Sequence, residues 1–376
     1  MTAVDHLFTP LKIGGLSLAN RVVMAPMTRE FSPNGIPGPD VADYYSRRAA
    51  GGVGLIVTEG CAINRTGALG DNIPHLFGEK AAAAWRVVVD GVHQAGGKIF
   101  PQMWHVGFEN PKTSSNPNVS RPNIKRLGPS GITVDGEQIG EPMTGAEIEQ
   151  TIADYASAAK FALDAGFDGV AIHGAHGYLL DQFFWTRTNR RTDRYGGDVK
   201  ARSRFAAEVV RECRRQVGSD FPILLRFSQW KSADYNARIA QTPQELEALL
   251  APLAEAGVDV FEASTRRFWE PAFQGSPLGL AAWAKKVTGK TAMAVGSVTL
   301  ASEFKSDIEQ GKGGMAESLV SVKELEALAE MLAREEFDLV AIGRAMIANP
   351  DWATRVKSGR AAELKPFRKD ALASLY

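Results

Sequence analysis

Cysteine is nearly absent from this sequence, which has only Cys61 and Cys213 among its 376 residues. Two cysteines exclude a disulfide framework, a four-cysteine zinc site and a cysteine-bound iron–sulfur cluster. So small a number is typical of a protein in a reducing compartment, and we therefore expect a cytoplasmic location. We predict no metal site.

Two further features are missing: an excess of charge of one sign and any long apolar run. Lysine plus arginine and aspartate plus glutamate each number 43, so no overall field attracts nucleic acid or an anionic membrane. The N-terminal MTAVDHLFTPLKIGG lacks the pattern of a signal peptide, and no stretch is long enough to cross a bilayer. We expect a soluble protein that acts on a small molecule, and a homodimer is one option for its assembly.

The sequence does contain a regular alternation of apolar, strand-like runs with amphipathic, helix-like segments. Eight runs predict strands: RVVM (21–24), GLIVTE (54–59), KIFPQMW (98–104), GVAIH (169–173), ILLRF (223–227), VDVFEA (258–263), TAMAV (291–295) and DLVAI (338–342). Such alternation implies parallel strands joined by crossover helices, and eight units predict an α/β fold of the closed (β/α)8, or TIM-barrel, type. No break in composition divides the chain, so residues 1–376 are expected to form a single domain.

Capping signals mark the starts of three predicted helices: Thr144 with Glu147, Thr242 with Pro243 and Glu245, and Ser321 with Glu324. One long excursion follows the third strand, over about residues 108–143, and contains a predicted β-hairpin that turns at Asp135-Gly136. A loop of this length beside a barrel mouth suggests a lid or a wall of the substrate pocket.

The most unusual stretch is HGAHGYLLDQFF (173–184), which places two of only six histidines and a tyrosine just after the fourth strand. A single histidine at a strand end is more often structural than catalytic. Here His173, His176 and Tyr178 come together, and Gly174 and Gly177 permit tight turns between them. Because the C-terminal strand ends of a barrel form its active-site face, the cluster predicts a catalytic group.

The ends of the seventh and eighth strands suit a phosphate. Gly296-Ser297 and Gly343-Arg344 offer backbone N–H groups and one guanidinium where barrels commonly bind this group. The alternative is that the two glycines simply make tight turns. Position in the barrel favours the phosphate site.

Two polar residues inside strands suit a flavin ring. Arg226 lies within the apolar run ILLRF and needs an anionic partner there, whereas Gln102 brings an amide that both donates and accepts. A flavin has one edge that becomes negative on reduction and another that carries donors and acceptors. A bound flavin would therefore satisfy both residues.

These segments, in this order, resemble the Old Yellow Enzyme family of FMN-dependent NAD(P)H oxidoreductases, or ene-reductases. The resemblance covers nearly the whole chain and rests on NRVVMAPMTR, TEG, PQMWHVG, HGAHGYLLDQF with RTDRYGG, LLRFS, GS and IGRAMIANPDW. It implies non-covalent FMN, NAD(P)H as reductant, and ping-pong reduction of the activated C=C bond of an α,β-unsaturated carbonyl or nitro compound.

The resemblance also implies a role for each matching residue. The flavin ring would be contacted by Ala25, Pro26, Met27, Thr28, the backbone of Gly60, Gln102 and Arg226. The phosphate would be held by Gly296, Ser297, Gly343 and Arg344. His173 and His176 would bind the substrate's oxygen, and Tyr178 would donate a proton. One branch of the family pairs threonine at the position of Thr28 with a histidine and an asparagine, and another pairs cysteine with two histidines, so this chain is mixed.

Two other functions remain compatible with such a barrel. A flavin-free lyase or isomerase could use His173 and Tyr178 on a phosphorylated substrate, but it would leave Arg226 and Gln102 without a ring to bind. A non-catalytic FMN-binding module would leave the histidine and tyrosine cluster unexplained. The aromatic residues near the predicted mouth are expected to serve in ordinary packing rather than in the pocket: Trp104, Phe268 and Trp269.

Overall fold

The fold is a closed barrel of eight parallel strands, as the alternation of strand-like and helix-like segments predicts. A computed structural model describes residues 2–68, 70–109, 125–302 and 316–376. The barrel strands are β3 (Val22–Met24), β4 (Leu55–Ala62), β5 (Ile99–Trp104), β6 (Val170–His176), β7 (Ile223–Lys231), β8 (Val260–Ser264), β9 (Thr291–Val295) and β10 (Leu339–Ile342). They pair in chain order, and β10 closes the barrel against β3.

Helices follow the barrel strands and form the outer layer. Their bounds are α1 (Pro39–Ala50), α2 (Glu79–Gln94), α3 (Gly145–Asp164), α4 (Leu179–Phe184), α5 (Val199–Val217), α6 (Pro243–Ala256), α7 (Leu280–Thr288), α8 (Lys323–Ala333), α9 (Arg344–Ala348) and α10 (Trp352–Lys357). Within the four described ranges, no helix combines the length and apolarity that a bilayer crossing requires.

Alternation along each strand divides the core into two layers. In β4, Leu55 and Val57 belong to the cluster inside the barrel, whereas Ile56 between them packs in the layer shared with the helices. Phe100 of β5 also fills the interior, and its neighbour Ile99 faces outward. This period of two places polar residues of the same strands either inside the barrel or among the helices.

A short N-terminal hairpin that the strand pattern does not predict covers one end of the barrel. Strand β1 (Leu11–Ile13) pairs antiparallel with β2 (Leu16–Leu18). Ile13, Leu16 and Leu18 join the interior cluster, and a side chain at Gly15 would meet Asp220, just before β7 begins. The hairpin therefore seals the N-terminal ends of the strands and leaves the opposite end open.

Two of the three predicted helix starts are confirmed. Thr144 and Glu147 form the reciprocal capping box of α3, and the Thr242 hydroxyl accepts from the Glu245 N–H at the start of α6. The prediction for Ser321 is wrong in detail. Helix α8 begins after Val322, and the Ser321 hydroxyl donates to the Glu324 carboxylate at 2.9 Å instead of capping the backbone.

The excursion after β5 contains the predicted turn but not paired strands. Gly136 has φ 94°, and its N–H donates to the Thr133 carbonyl at 2.9 Å. The arms of the turn meet in a single bridge between Ile132 and Gln138. Residues 110–124 of the predicted excursion lie outside the described ranges.

We predict that Leu18→Ala lowers the free energy of unfolding by about 3 kcal/mol, because Leu18 is buried against the barrel interior and truncation leaves a cavity. Urea unfolding measures this change. Ser17→Ala, at the exposed position of the same strand, is the matched control and should be nearly neutral. Equal effects of the two substitutions would show that the hairpin does not stabilise the barrel.

Candidate active site

A cavity of about 640 Å³ opens at the C-terminal ends of the barrel strands. It is lined by all the predicted site residues except one: Ala25, Pro26, Met27, Thr28, Gln102, His173, His176, Tyr178, Arg226, Gly296, Ser297, Gly343 and Arg344. The exception is Gly60. The barrel thus brings together residues that are more than 300 positions apart in the sequence.

Three of these side chains cluster where β6 ends. The His173 ring lies 5.2 Å from that of His176 and 5.0 Å from that of Tyr178, measured between centroids. His176 ends the strand with φ 65°, a left-handed conformation that Gly177 continues with φ 91°. This reversal allows side chains three and five positions after His173 to reach the same cavity.

His173 is poised as a neutral hydrogen-bond donor. Its Nδ1 accepts the N–H of Ala175 at 3.3 Å, so the proton of the neutral ring belongs on Nε2. Burial and the charge of Arg226 lower the pKa of His173 well below its usual value. The ring therefore stays uncharged at neutral pH and presents an N–H to a ligand.

Tyr178 is poised to remain protonated. Burial, with a smaller contribution from the Glu109 carboxylate, raises the pKa of the phenol above its ordinary value. Its ring meets that of Trp104 edge to face at 4.9 Å between centroids. Trp104 lines the cavity, so its assignment to packing alone is wrong, whereas Phe268 and Trp269 do not line it.

Arg226 has an anionic partner that the strand pattern did not reveal. Glu262 of β8 is fully buried, pairs with Arg226 in register, and places a carboxylate oxygen 3.4 Å from its Nη1. The anionic partner expected for this arginine is therefore present within the protein, and a flavin is not needed to supply it. Burial raises the pKa of Glu262, an effect that Arg226 opposes. The Nε of Arg226 is buried without a hydrogen-bond partner among the described residues.

Gln102 presents an unsatisfied amide to the cavity. The side chain is buried on β5, and within the described part of the chain its Nε2 finds no hydrogen-bond partner. An unmade buried hydrogen bond of this kind costs about 1–3 kcal/mol. A ligand with an acceptor at this point would recover that energy.

The ends of β9 and β10 form a tight cradle that contains two glycines. Gly296 has φ 143°, and a Cβ there would lie 2.6 Å from the Thr265 carbonyl oxygen. A Cβ at Gly343 would approach the Met27 sulfur to 3.0 Å. Next to it, Arg344 donates to the carbonyls of Ser302 at 2.6 Å and Ala316 at 2.8 Å, so part of its donor set already binds the protein.

Glu59 holds the loop that carries Ala25–Thr28 into the cavity. Its buried carboxylate accepts the N–H groups of Arg29 at 2.9 Å and Glu30 at 3.0 Å, just after Thr28. Burial raises the pKa of Glu59 to about 7, although these two hydrogen bonds oppose the shift. The sequence analysis missed this residue, since only its position beside Gly60 hinted at it.

Gly60 and Cys61 serve the barrel wall in this structure. A Cβ at Gly60 would fall 2.2 Å from the Trp104 ring, so glycine is needed for that ring to lie flat against β4. A flavin contact by the Gly60 backbone stays a prediction. Cys61 faces the helices, fully buried, and burial raises the pKa of its thiol, which makes it an inert packing residue.

Two lining residues that the sequence analysis missed surround His176. Trp230 of β7 stacks on the His176 ring at 4.4 Å between centroids. The Ser264 hydroxyl lies 2.8 Å from the His176 Nε2 and accepts from Arg226 Nη2 at 3.2 Å. Ser264 thus bridges the arginine and the histidine. A signal existed, since Ser264 directly follows the predicted strand VDVFEA.

The described part of the excursion does not line this cavity. From residues 125–143, Val134 comes near the turn instead, where it would meet a side chain at Gly177. A segment near the end of the chain reaches the mouth of the cavity instead. Leu372 lines the cavity, and Arg29 donates to the Leu372 carbonyl and to those of Ala371 and Ser374.

The chain is similar to known flavin oxidoreductases over nearly its whole length. Residues 6–363 match the NADH:flavin oxidoreductase / NADH oxidase family. An NADH oxidase of Thermoanaerobacter brockii is 34% identical over 97% of this chain, which spans only 52% of that relative. A putative 12-oxophytodienoate reductase 11 of Oryza sativa subsp. japonica is 38% identical over 67% of this chain and 69% of its own length. Morphinone reductase in complex with tetrahydroNAD superposes with a TM-score of 0.76 at 28% identity, covering 97% and 93% of the two chains.

Glu59→Gln should change how stability depends on pH, because the amide keeps an acceptor oxygen but cannot titrate. With a folded pKa of about 7, above the unfolded value of about 4.3, Glu59 binds its proton more tightly in the native state. Wild type should therefore lose stability relative to the variant as pH rises from about 4.5 to about 7, by up to about 3 kcal/mol.

Urea unfolding of both proteins at several pH values and one fixed FMN concentration measures that difference. A difference between the two proteins that does not vary with pH would mean that Glu59 ionises as it does in water.

Proposed function

We propose that this chain, which belongs to the NADH:flavin oxidoreductase / NADH oxidase family, uses FMN and NAD(P)H to reduce activated C=C bonds. The match agrees with the Old Yellow Enzyme resemblance of its motifs. The observation that carries the proposal is a single cavity that joins a phosphate cradle, the unsatisfied polar atoms of Gln102 and Arg226, and the cluster of His173, His176 and Tyr178. The substrates would be α,β-unsaturated carbonyl or nitro compounds.

The cavity residues fit FMN. The buried Nε2 of Gln102 and Nε of Arg226 lack partners, and a flavin offers acceptors to both. Gly296 and Gly343 carry no side chain at the cavity wall, and a larger residue at Gly296 would clash with Thr265, so a phosphate can come close to the backbone here. Gln102 and Arg226 would bind the ring edges, Ala25–Thr28 would lie along it, and Ser297 and Arg344 would complete the phosphate site.

The redox chemistry would come from bound FMN, through which a hydride passes from NAD(P)H to the alkene. The protein's task is to stabilise the negative charge that develops on the substrate's oxygen. His173 can donate from Nε2, and His176 lies beside it in the same cavity. The charge of Arg226 favours electron-rich states of the ring.

Tyr178 would supply the proton that completes alkene reduction. Its raised pKa keeps the phenol protonated at neutral pH, and the enolate formed by hydride addition is basic enough to take that proton. Two of the similar proteins carry names that fit this chemistry, since both are called reductases of oxo compounds, 12-oxophytodienoate and morphinone.

A visible spectrum of the purified protein, recorded with and without NAD(P)H under anaerobic conditions and then with an enone, tests the proposal. We expect a flavin spectrum that NAD(P)H bleaches and the enone restores. Protein without flavin would favour the lyase or isomerase. Flavin that NAD(P)H does not reduce, or that no enone reoxidises, would favour a binding module or another acceptor.

The cytoplasmic location and the homodimer stay predictions. The location rests on the small number of cysteines, both of which are buried free thiols. Analytical ultracentrifugation of the FMN-loaded protein would measure the assembly.

We predict that Tyr178→Phe slows alkene reduction by about 100-fold or more, because only the proton donor is removed. FMN content and the rate of flavin reduction by NAD(P)H should stay near wild type. Stopped-flow traces of the two half-reactions measure both rates. Equal slowing of the two half-reactions would remove Tyr178 from the proton-transfer step.

Arg344→Ala should weaken FMN binding by about 2 kcal/mol, or roughly thirty-fold, through loss of charge-assisted hydrogen bonds to the phosphate. Titration of flavin-free protein with FMN measures the affinity. Riboflavin, which lacks the phosphate, is the control and should bind both proteins with similar, weak affinity. If riboflavin binding fell as far, Arg344 would act by fixing the Ser302 and Ala316 carbonyls and not by binding phosphate.

A further inference from the structure

A buried ion pair lies directly behind the catalytic cluster without lining the cavity. Lys231, at the end of β7, places Nζ 2.8 Å from Oδ1 of Asp181 in α4, and both side chains are completely buried. Lys231 also donates to the carbonyls of Ser228 and Gln229, at 3.3 and 3.1 Å. All three ammonium donors are thus satisfied.

The ion pair holds the turn that carries the catalytic side chains. The second oxygen of the Asp181 carboxylate, Oδ2, accepts the N–H of Gly177 at 2.6 Å. On the other side, Lys231 pairs in register with His176, and the N–H of Ser232 donates to the His176 carbonyl at 3.2 Å. The residue between His176 and Tyr178 is therefore tied to α4, and His176 itself is tied to β7.

The turn needs such support because its backbone is unusual. His176 has φ 65°, which costs a non-glycine residue about 1–3 kcal/mol unless its surroundings hold it there. The Gly177 N–H is buried and requires an acceptor. Without Asp181, the backbone between the two catalytic side chains would lose that bond.

Overall stability does not explain why the support is ionic. Burying two charges is costly, and replacement of such a pair by well-packed apolar residues is often neutral or stabilising. A buried pair of this kind more often specifies one local conformation among several. At this place the conformation that it specifies is the turn from His176 to Tyr178.

We propose that Asp181 and Lys231 are positioning residues for alkene reduction, which fix the His176–Tyr178 turn so that oxygen-binding and proton-donating groups reach one substrate. This inference rests on the proposed function. It predicts that the pair acts through Tyr178 and His176 and makes no contact with substrate or cofactor.

The test is a double-mutant cycle with Tyr178→Phe. The combined replacement D181L/K231M removes the pair without leaving an unpaired buried charge, so the protein should fold and keep FMN. We expect kcat for an enone to fall roughly 100-fold, as for a displacement of about 1 Å in an active site. In the Tyr178→Phe background the same replacement should cause a smaller additional loss, because only the part that acts through His176 remains.

Two comparisons separate positioning from general destabilisation. D181N/K231M keeps an acceptor oxygen for the Gly177 N–H without a buried charge, so it should recover much of the lost rate. As a control, D259L/R214M removes a partly exposed ion pair at the opposite barrel end, where Asp259 also accepts a backbone N–H, from Ile223. The control should lower Tm and leave kcat unchanged.

Hydrogen exchange reports on the turn without any substrate. Exchange of the Gly177 amide should quicken in D181L/K231M and slow again in D181N/K231M. Wild type that reduces no enone would overturn the proposed function itself. Wild-type turnover with unchanged kcat in D181L/K231M, or with equal losses in the two Tyr178 backgrounds, would overturn the positioning role alone.

Discussion

Closure of eight parallel strands is the constraint from which the site follows. Parallel strands that close into a barrel must all end at one mouth, so each connection out of a strand contributes to the same small region. The hairpin of β1 and β2 seals the opposite end with Leu16 and Leu18. The candidate site is therefore at one opening. Its lining residues range from Ala25, near the start of the chain, to Leu372, near its end.

Two buried ion pairs lie near this opening, and each has one partner on β7. Arg226 meets Glu262 across the β7–β8 ladder, and Lys231, further along β7, meets Asp181. The two pairs differ in how many of the cation's hydrogen bonds are made. Lys231 has every donor satisfied and lies behind the site, whereas Arg226 keeps an unsatisfied Nε within the cavity wall. A buried cation with all its hydrogen bonds made suits a structural support, whereas one with an unused donor suits a ligand site.

Local sequence patterns predicted the fold well because the barrel repeats one local unit. Strand runs and two of the three capping signals depend on neighbours within a few residues, so they can be read from the chain. The hairpin of β1 and β2 escaped because its strands have only three residues each. The turn at Asp135-Gly136 was found, but whether its arms pair depends on packing that no local pattern encodes.

The site residues likewise fall into those that the local sequence indicates and those that only the fold brings together. His173, His176 and Tyr178 are adjacent in sequence, and Gln102 and Arg226 stand out as polar residues within apolar runs. Glu262 carries that same signal, yet its partnership with Arg226 depends on the register between two strands. Ser264 follows a predicted strand, but its contact with His176, like that of Trp230, depends on the three-dimensional fold.

The bridge through Ser264 links the two halves of the proposed chemistry. Arg226, proposed to bind the ring, and His176, proposed to bind the substrate, both contact the Ser264 hydroxyl, so a change of charge at one would be felt at the other through a single oxygen. Both halves also share one cavity. If NAD(P)H and the alkene both bind in this one cavity, they would have to bind in turn, as the proposed ping-pong order requires.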